Sequence, residues 1–175
     1  MTTIAYSHGV LAFDELVTTG TARFAKVKKS RAMNGFLVGC AGETRMCMAF
    51  MDWLEAHLER SQTLLSMPKD MLLGEDDYPF SALVINRDGR VFSYDGFGHP
   101  YEVEGPFFAI GSGRDYAVGA MDMGATAKEA VSVAIKWDVM TGGEVQSLSL
   151  ADIPEPKMPD NVVMLKERRK VKRGK

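Results

Sequence analysis

Cysteine is scarce in this 175-residue chain: Cys40 and Cys47 are the only two, and they do not form a Cys-x-x-Cys pair. Two residues cannot build a disulfide framework, so they are read as reduced, buried thiols of a cytoplasmic protein. Histidine is nearly as rare. His8, His57 and His99 share no ligand spacing with one another or with the cysteines, which argues against a zinc site. No apolar run approaches the roughly eighteen residues that a membrane span needs. The start, Met1-Thr2-Thr3-Ile4-Ala5-Tyr6, lacks both a basic region and a long apolar stretch, so no secretory signal is expected. There is no internal repeat, and no motif calls for a cofactor.

What is present is an ordinary globular composition, 46% hydrophobic and 25% charged, in a length that suits one domain. The net charge of −2 is unevenly spread. Seven of the last ten residues are Lys or Arg and one is Glu, so that tail carries +6 and the first 165 residues carry −8. An acidic body argues against a nucleic-acid-binding domain, and no specific nucleic-acid partner is expected. The organisation predicted is a domain over residues 2–150, followed by a Pro-containing linker and basic flexible tail over 151–175.

Hydrophobic patterning gives the elements. Strands are predicted at Thr2 to Tyr6, Val10 to Phe13, Ala22 to Lys28 and Gly35 to Cys40, separated by turn signals such as His8-Gly9. From Glu43 the period changes: Met46, Phe50, Trp53, Leu54, His57 and Leu58 fall on one face of an amphipathic helix. His57 is read there as a packed residue, not a ligand. Strands resume at Ser81 to Asn86 and Arg90 to Tyr94 around an Asp88-Gly89 turn, and again at Phe107 to Gly111. Helices follow near Asp115 to Met123 and Thr126 to Met140, the second capped by Thr126, and a last strand spans Glu144 to Leu150. This order suits antiparallel sheets covered by helices.

The residue of greatest chemical interest is Thr2. A threonine hydroxyl is a weak nucleophile, but at a chain terminus it lies beside a free α-amine whose unperturbed pKa is about 7.7–8.0. Such an amine is a suitable general base, so one residue can supply both nucleophile and base. Met before a small residue is normally trimmed, which would expose Thr2. By itself a Met-Thr start carries little weight, because many chains begin that way.

The surrounding segments carry a resemblance. Thr2-Thr3-Ile4 is similar to the mature start of the bacterial heat-shock-locus V peptidases, which are relatives of the proteasome β-subunits. Gly9-Val10-Leu11-Ala12-Phe13-Asp14 resembles the second strand of that family, and Val27-Lys28-Lys29 the strand that carries its active-site lysine. Val38-Gly39-Cys40-Ala41-Gly42 resembles the strand-to-helix turn whose glycine amide binds the oxyanion. Ala109-Ile110-Gly111-Ser112-Gly113 and Asp138-Val139-Met140-Thr141-Gly142-Gly143 match two further signatures in order. The resemblance covers roughly residues 2–150.

It implies an α+β fold, the four-layer αββα sandwich of N-terminal-nucleophile hydrolases. It implies a threonine-type endopeptidase that degrades unfolded polypeptides inside homo-oligomeric stacked rings, with an ATPase unfoldase as partner. Thr2 would be the nucleophile, Lys29 a nearby cation held by Asp14, and Gly39 the oxyanion donor. Ser112, Asp138 and Thr141 would form the polar network around the terminal amine, and Leu37 would lie near the floor of the specificity pocket. Two rival readings remain: an N-terminal-nucleophile amidase acting on small amides, and a non-catalytic ring or assembly subunit that keeps Met1. The loop Glu15-Leu16-Val17-Thr18-Thr19 departs from the family's small-residue run, so cleavage preference is not carried over.

Overall fold

A computed structural model describes residues 2–19, 22–61, 63–68, 80–95 and 98–156; for 19 and 22–25 it describes the backbone alone. Two antiparallel sheets lie face to face. The first pairs β1 (Thr3–Ser7) with β2 (Val10–Phe13), and flanks them with β10 (Phe107–Gly111) and β11 (Gln146–Ser149). The second runs β5 (Ser30–Met33), β6 (Phe36–Gly42), β7 (Phe80–Asn86), β8 (Val91–Tyr94) and β9 (Tyr101–Val103) in that order. A separate two-stranded ribbon joins β3 (Leu16–Thr19) to β4 (Ala22–Lys26).

Period-two alternation sends each strand's side chains to opposite faces. Ile4, Tyr6, Leu11 and Phe13 of the first sheet meet Leu37, Leu83, Ile85 and Val91 of the second, forming the core between the sheets. The residues in between point outward. Ala5 and Ala12 receive helix α3 (Ala127–Trp137) and helix α2 (Arg114–Asp122) through Ala117, Met121, Ala130 and Val131. Across the molecule, Val38, Cys40, Ala82 and Val84 receive helix α1 (Thr44–Leu58) through Phe50, Met51 and Leu54. The result is the four-layer αββα sandwich. Small residues on the outer face of β1 and β2 let α2 and α3 approach closely, whereas larger ones fill the space under α1.

The helices begin where local chemistry dictates. Glu43 accepts the Met46 N–H at 3.2 Å and caps α1. Thr126 and Glu129 form a reciprocal capping box at the start of α3. The chain departs from its sequence pattern in two ways. β3, β5 and β9 were not expected as separate strands; β5 reads Ser-Arg-Ala-Met, with no β-branched or aromatic residue to signal it. Helix α3 stops at Trp137 instead of Met140, because Asp138 turns into an extended conformation and its carboxylate binds elsewhere. His57 is half-buried at the edge of the α1 core, stacked on Trp53 with Nε2 2.9 Å from the Thr63 carbonyl.

Past β11 the chain keeps packing. A short turn of 3-10 helix, Leu150–Asp152, leads to buried Ile153, whose carbonyl accepts from Arg87 at 3.0 Å. Most of the basic tail, residues 157–175, lies outside the described residues. No described helix is long and apolar enough to cross a membrane.

Candidate active site

Asp14 follows β2 and is fully buried. A carboxylate there needs several donors to replace water, and it has four. Oδ1 accepts from Lys29 Nζ at 2.8 Å and from the Thr3 N–H at 2.9 Å. Oδ2 accepts from the N–H groups of Leu16 and Gly142, both at 3.1 Å. The carboxylate thereby ties together β1, the entry to β3, the segment before β5 and the segment after α3. Lys29 is 8% exposed. Burial pushes its ammonium below the usual lysine value, and the Asp14 carboxylate opposes that shift.

A second network joins from the other side. Asp138 Oδ2 lies 2.5 Å from both the Ser112 and the Thr141 hydroxyls, and Oδ1 accepts the Met140 N–H at 3.0 Å. Burial raises the Asp138 pKa, but the two hydroxyls and the N–H outweigh it, and the net shift is downward. Each hydroxyl has one proton. With Thr141's proton given to the carboxylate, Thr3 Oγ1 must be the donor to Thr141 Oγ1 across their 2.7 Å contact. Ser112 likewise turns its lone pairs outward, and its Oγ lies 3.4 Å from the Thr2 carbonyl oxygen.

Thr3 therefore links the two networks, through its N–H to Asp14 and its hydroxyl to Thr141. The sequence did not single it out. Both networks end next to Thr2, which is 3% exposed and lines a cavity of about 440 Å³ together with Gly42, Gly111 and Ser112. Glycine is required around it. A Cβ on Gly111, at φ +95°, would stand 1.9 Å from the Thr2 carbonyl oxygen, and one on Gly113 would stand 2.1 Å from Thr3 Oγ1. These two glycines were visible only as part of the Gly111-Ser112-Gly113 motif.

Six of the seven residues expected at the site are thus brought together: Thr2, Asp14, Lys29, Ser112, Asp138 and Thr141. Gly39 is not. It lies inside the second sheet with a paired strand on either side, opposite Ser30 of β5 and Leu83 of β7, and it does not line the cavity. Gly42 does. The Cys40 N–H donates to the Lys29 carbonyl at 3.0 Å, and strand alternation turns the Gly42 N–H to that same side, past the start of β5. Gly42 also has φ +131°, a conformation that favours glycine. Leu37 is likewise misplaced as a pocket floor, since it is fully buried between the two sheets.

No established family profile matches the chain. It is 31% identical over 153 residues to the ATP-dependent protease subunit HslV of Roseobacter denitrificans, an overlap of 78% of this chain and 81% of the relative. The chain belongs to the HslV family. It is accordingly a threonine peptidase and a protease subunit. Solved structures agree in fold. Thiobacillus denitrificans BPH superimposes with a TM-score of 0.63 at 22% identity, over 85% of this chain and 97% of that one. HslV from Trypanosoma brucei gives 0.62 at 20% identity, over 84% and 97%. BPH in complex with epoxomicin gives 0.59 at 20% identity, over 85% and 98%. At these identities the structural likeness establishes the N-terminal-nucleophile hydrolase fold.

Proposed function

We propose that Thr2, exposed by removal of Met1, is the nucleophile of a ring-shaped, self-compartmentalised protease that degrades unfolded polypeptides supplied by an ATPase partner. The observation that carries the reading is the convergence of two polar networks, one buried and one part-buried, on the cavity beside Thr2. A structural subunit has no use for a fully buried carboxylate held with a buried lysine at that point, because such a pair is costly to desolvate.

In this reading Thr2 Oγ attacks the scissile carbonyl carbon while its proton passes to the Thr2 α-amine. Ser112, with its own proton committed to Asp138, presents a lone pair to that amine and holds it in place. Lys29, held by Asp14, supplies a fixed positive charge beside the nucleophile and favours loss of the hydroxyl proton. The tetrahedral oxyanion is stabilised by the Gly42 N–H, a type of contact worth about 3–4 kcal/mol. Collapse expels the leaving amine, which takes the proton from the α-ammonium and leaves an acyl ester on Thr2. Water, activated by the same amine, then releases the acid.

Stacked homo-oligomeric rings and an ATPase unfoldase belong to this proposal, supported by the Roseobacter denitrificans relative, an ATP-dependent protease subunit. A cytoplasmic setting fits the two free, buried thiols, Cys40 and Cys47. The test is the intact mass of the purified protein before and after exposure to an epoxyketone probe directed at N-terminal threonine. Loss of the Met1 mass, with one adduct per chain that is absent in Thr2→Ala, is expected. Retained Met1 with no adduct would instead support a non-catalytic ring subunit.

A further inference from the structure

The cavity beside Thr2 extends well beyond the groups that the chemistry needs. From Thr2, Gly42 and Ser112 it continues along the second sheet to Ser93, Asp95 and Tyr101, and its lining includes Arg114, the first residue of α2. Its direction follows from the proton transfers. The leaving nitrogen must collect its proton from the Thr2 amine, which in the proposed mechanism is held by Ser112, whose Oγ is 3.4 Å from the Thr2 carbonyl oxygen. The substrate residue that departs with this nitrogen therefore enters the space beyond Ser112, two residues before Arg114.

Arg114 is suited to read what enters. Its side chain is 65% exposed, and Asp115 meets it through Nε, at 3.4 Å. That leaves the Nη1–Nη2 edge, the geometry that pairs with a carboxylate. The N-terminus of α2 lies at the same place, and its positive end meets Asp115 in the first turn as well as Arg114. Asp95, which follows β8, also lines the cavity and carries the opposite charge. Arg114 lies two residues after Ser112, which places it beside the part of the cavity where Ser112 meets Thr2.

We propose that this cavity is the subsite for the leaving-group side of the substrate, and that Arg114 gives it a preference for an acidic side chain just after the cut. The inference rests on Thr2 being the nucleophile. Because Arg114 is largely solvated, the preference is modest, about two- to fivefold for a pair of this exposure, and it fades as ionic strength rises.

The test uses the full chain with Met1 removed and three internally quenched peptides that share one acyl half. They carry Glu, Gln or Lys directly after the cleavage site, and kcat/KM is measured for each. The wild type should prefer Glu over Gln over Lys. The Glu-to-Lys ratio should fall to about one in Arg114→Gln and invert in Arg114→Glu. A ratio of one or below in the wild type overturns the proposal, as does a ratio that survives Arg114→Gln. A preference for Lys that Asp95→Asn removes assigns the selection to Asp95 and also overturns it. A coumarin amide with the same acyl half separates the two readings. If the wild type cleaves it without a charge preference in the peptides, only the subsite fails; if neither amide nor peptides are cleaved, the Thr2 assignment fails and the subsite with it.

Discussion

Lys29 Nζ and Asp14 Oδ1 stand 2.8 Å apart in a site where the carboxylate is wholly buried and the lysine is 8% exposed. The two partners are not equally dependent on each other. Asp14 keeps three backbone N–H donors, from Thr3, Leu16 and Gly142, if the lysine is lost. Lys29 without Asp14 is a buried cation that has lost its carboxylate, and the three N–H groups lose their acceptor as well.

Asp14→Ala should therefore destabilise the fold by about 3–5 kcal/mol, the cost of breaking a buried pair from one side. Lys29→Ala should cost clearly less, while reducing peptide hydrolysis nearly as far as loss of the nucleophile. Urea unfolding at neutral pH, read alongside kcat/KM, separates the two effects. Equal stability losses would show that the backbone donors do not hold Asp14 in place on their own.

Thr2→Ala should abolish peptide hydrolysis and leave the fold and assembly intact, because the variant removes only a hydroxyl and a methyl at the cavity wall. Size-exclusion chromatography and a fluorogenic peptide check this. Substantial residual turnover would sink the nucleophile assignment.

Glycine substitutions should divide by position. Gly111→Ala places a methyl 1.9 Å from the Thr2 carbonyl at a left-handed φ, so stability should drop and probe labelling of Thr2 should be lost. Gly119, inside α2, has nothing within 4 Å of a would-be Cβ. Gly119→Ala should stabilise by about 0.5–1 kcal/mol through helix propensity alone. Thermal unfolding of both variants, with labelling of the first, tests the pair.

The acid limb of stability should depend on Asp138. Its pKa is depressed in the folded state, so its contribution is present above the unfolded value near 3.9 and is lost as pH falls through the folded value. The wild type should lose part of its margin over Asp138→Asn as pH falls from about 5 toward 2. Urea midpoints across that range would show it, and a constant difference would mean that the hydroxyl network does not favour the ionised form.

The sequence alone carried the family resemblance, the order of most strands and helices, and six of the residues that meet at the site. These are legible because they depend on local pattern: alternation along a strand, the helical period of α1, the Thr126 cap, and short segments such as Gly111-Ser112-Gly113. β5 escaped notice because Ser30–Met33 has no strand-like composition and forms by pairing with β6. Asp138 could be named from its motif, but the end of α3 at Trp137 could not, since the Asp138 carboxylate turns to Ser112, 26 residues back, as well as to Thr141.

The choice between two nearby glycines shows where sequence stops. Gly39 and Gly42 lie three residues apart on one strand, and a linear pattern treats both as small residues near a turn. Which amide can reach an oxyanion depends on where β5 stops pairing with β6, a fact of sheet register with no local signature. Thr3 is a similar case: its amide reaches Asp14 and its hydroxyl reaches Thr141, 138 residues further along the chain. Local propensity determined the elements and the chemistry available to this protein; long-range pairing alone decided which of those groups face Thr2.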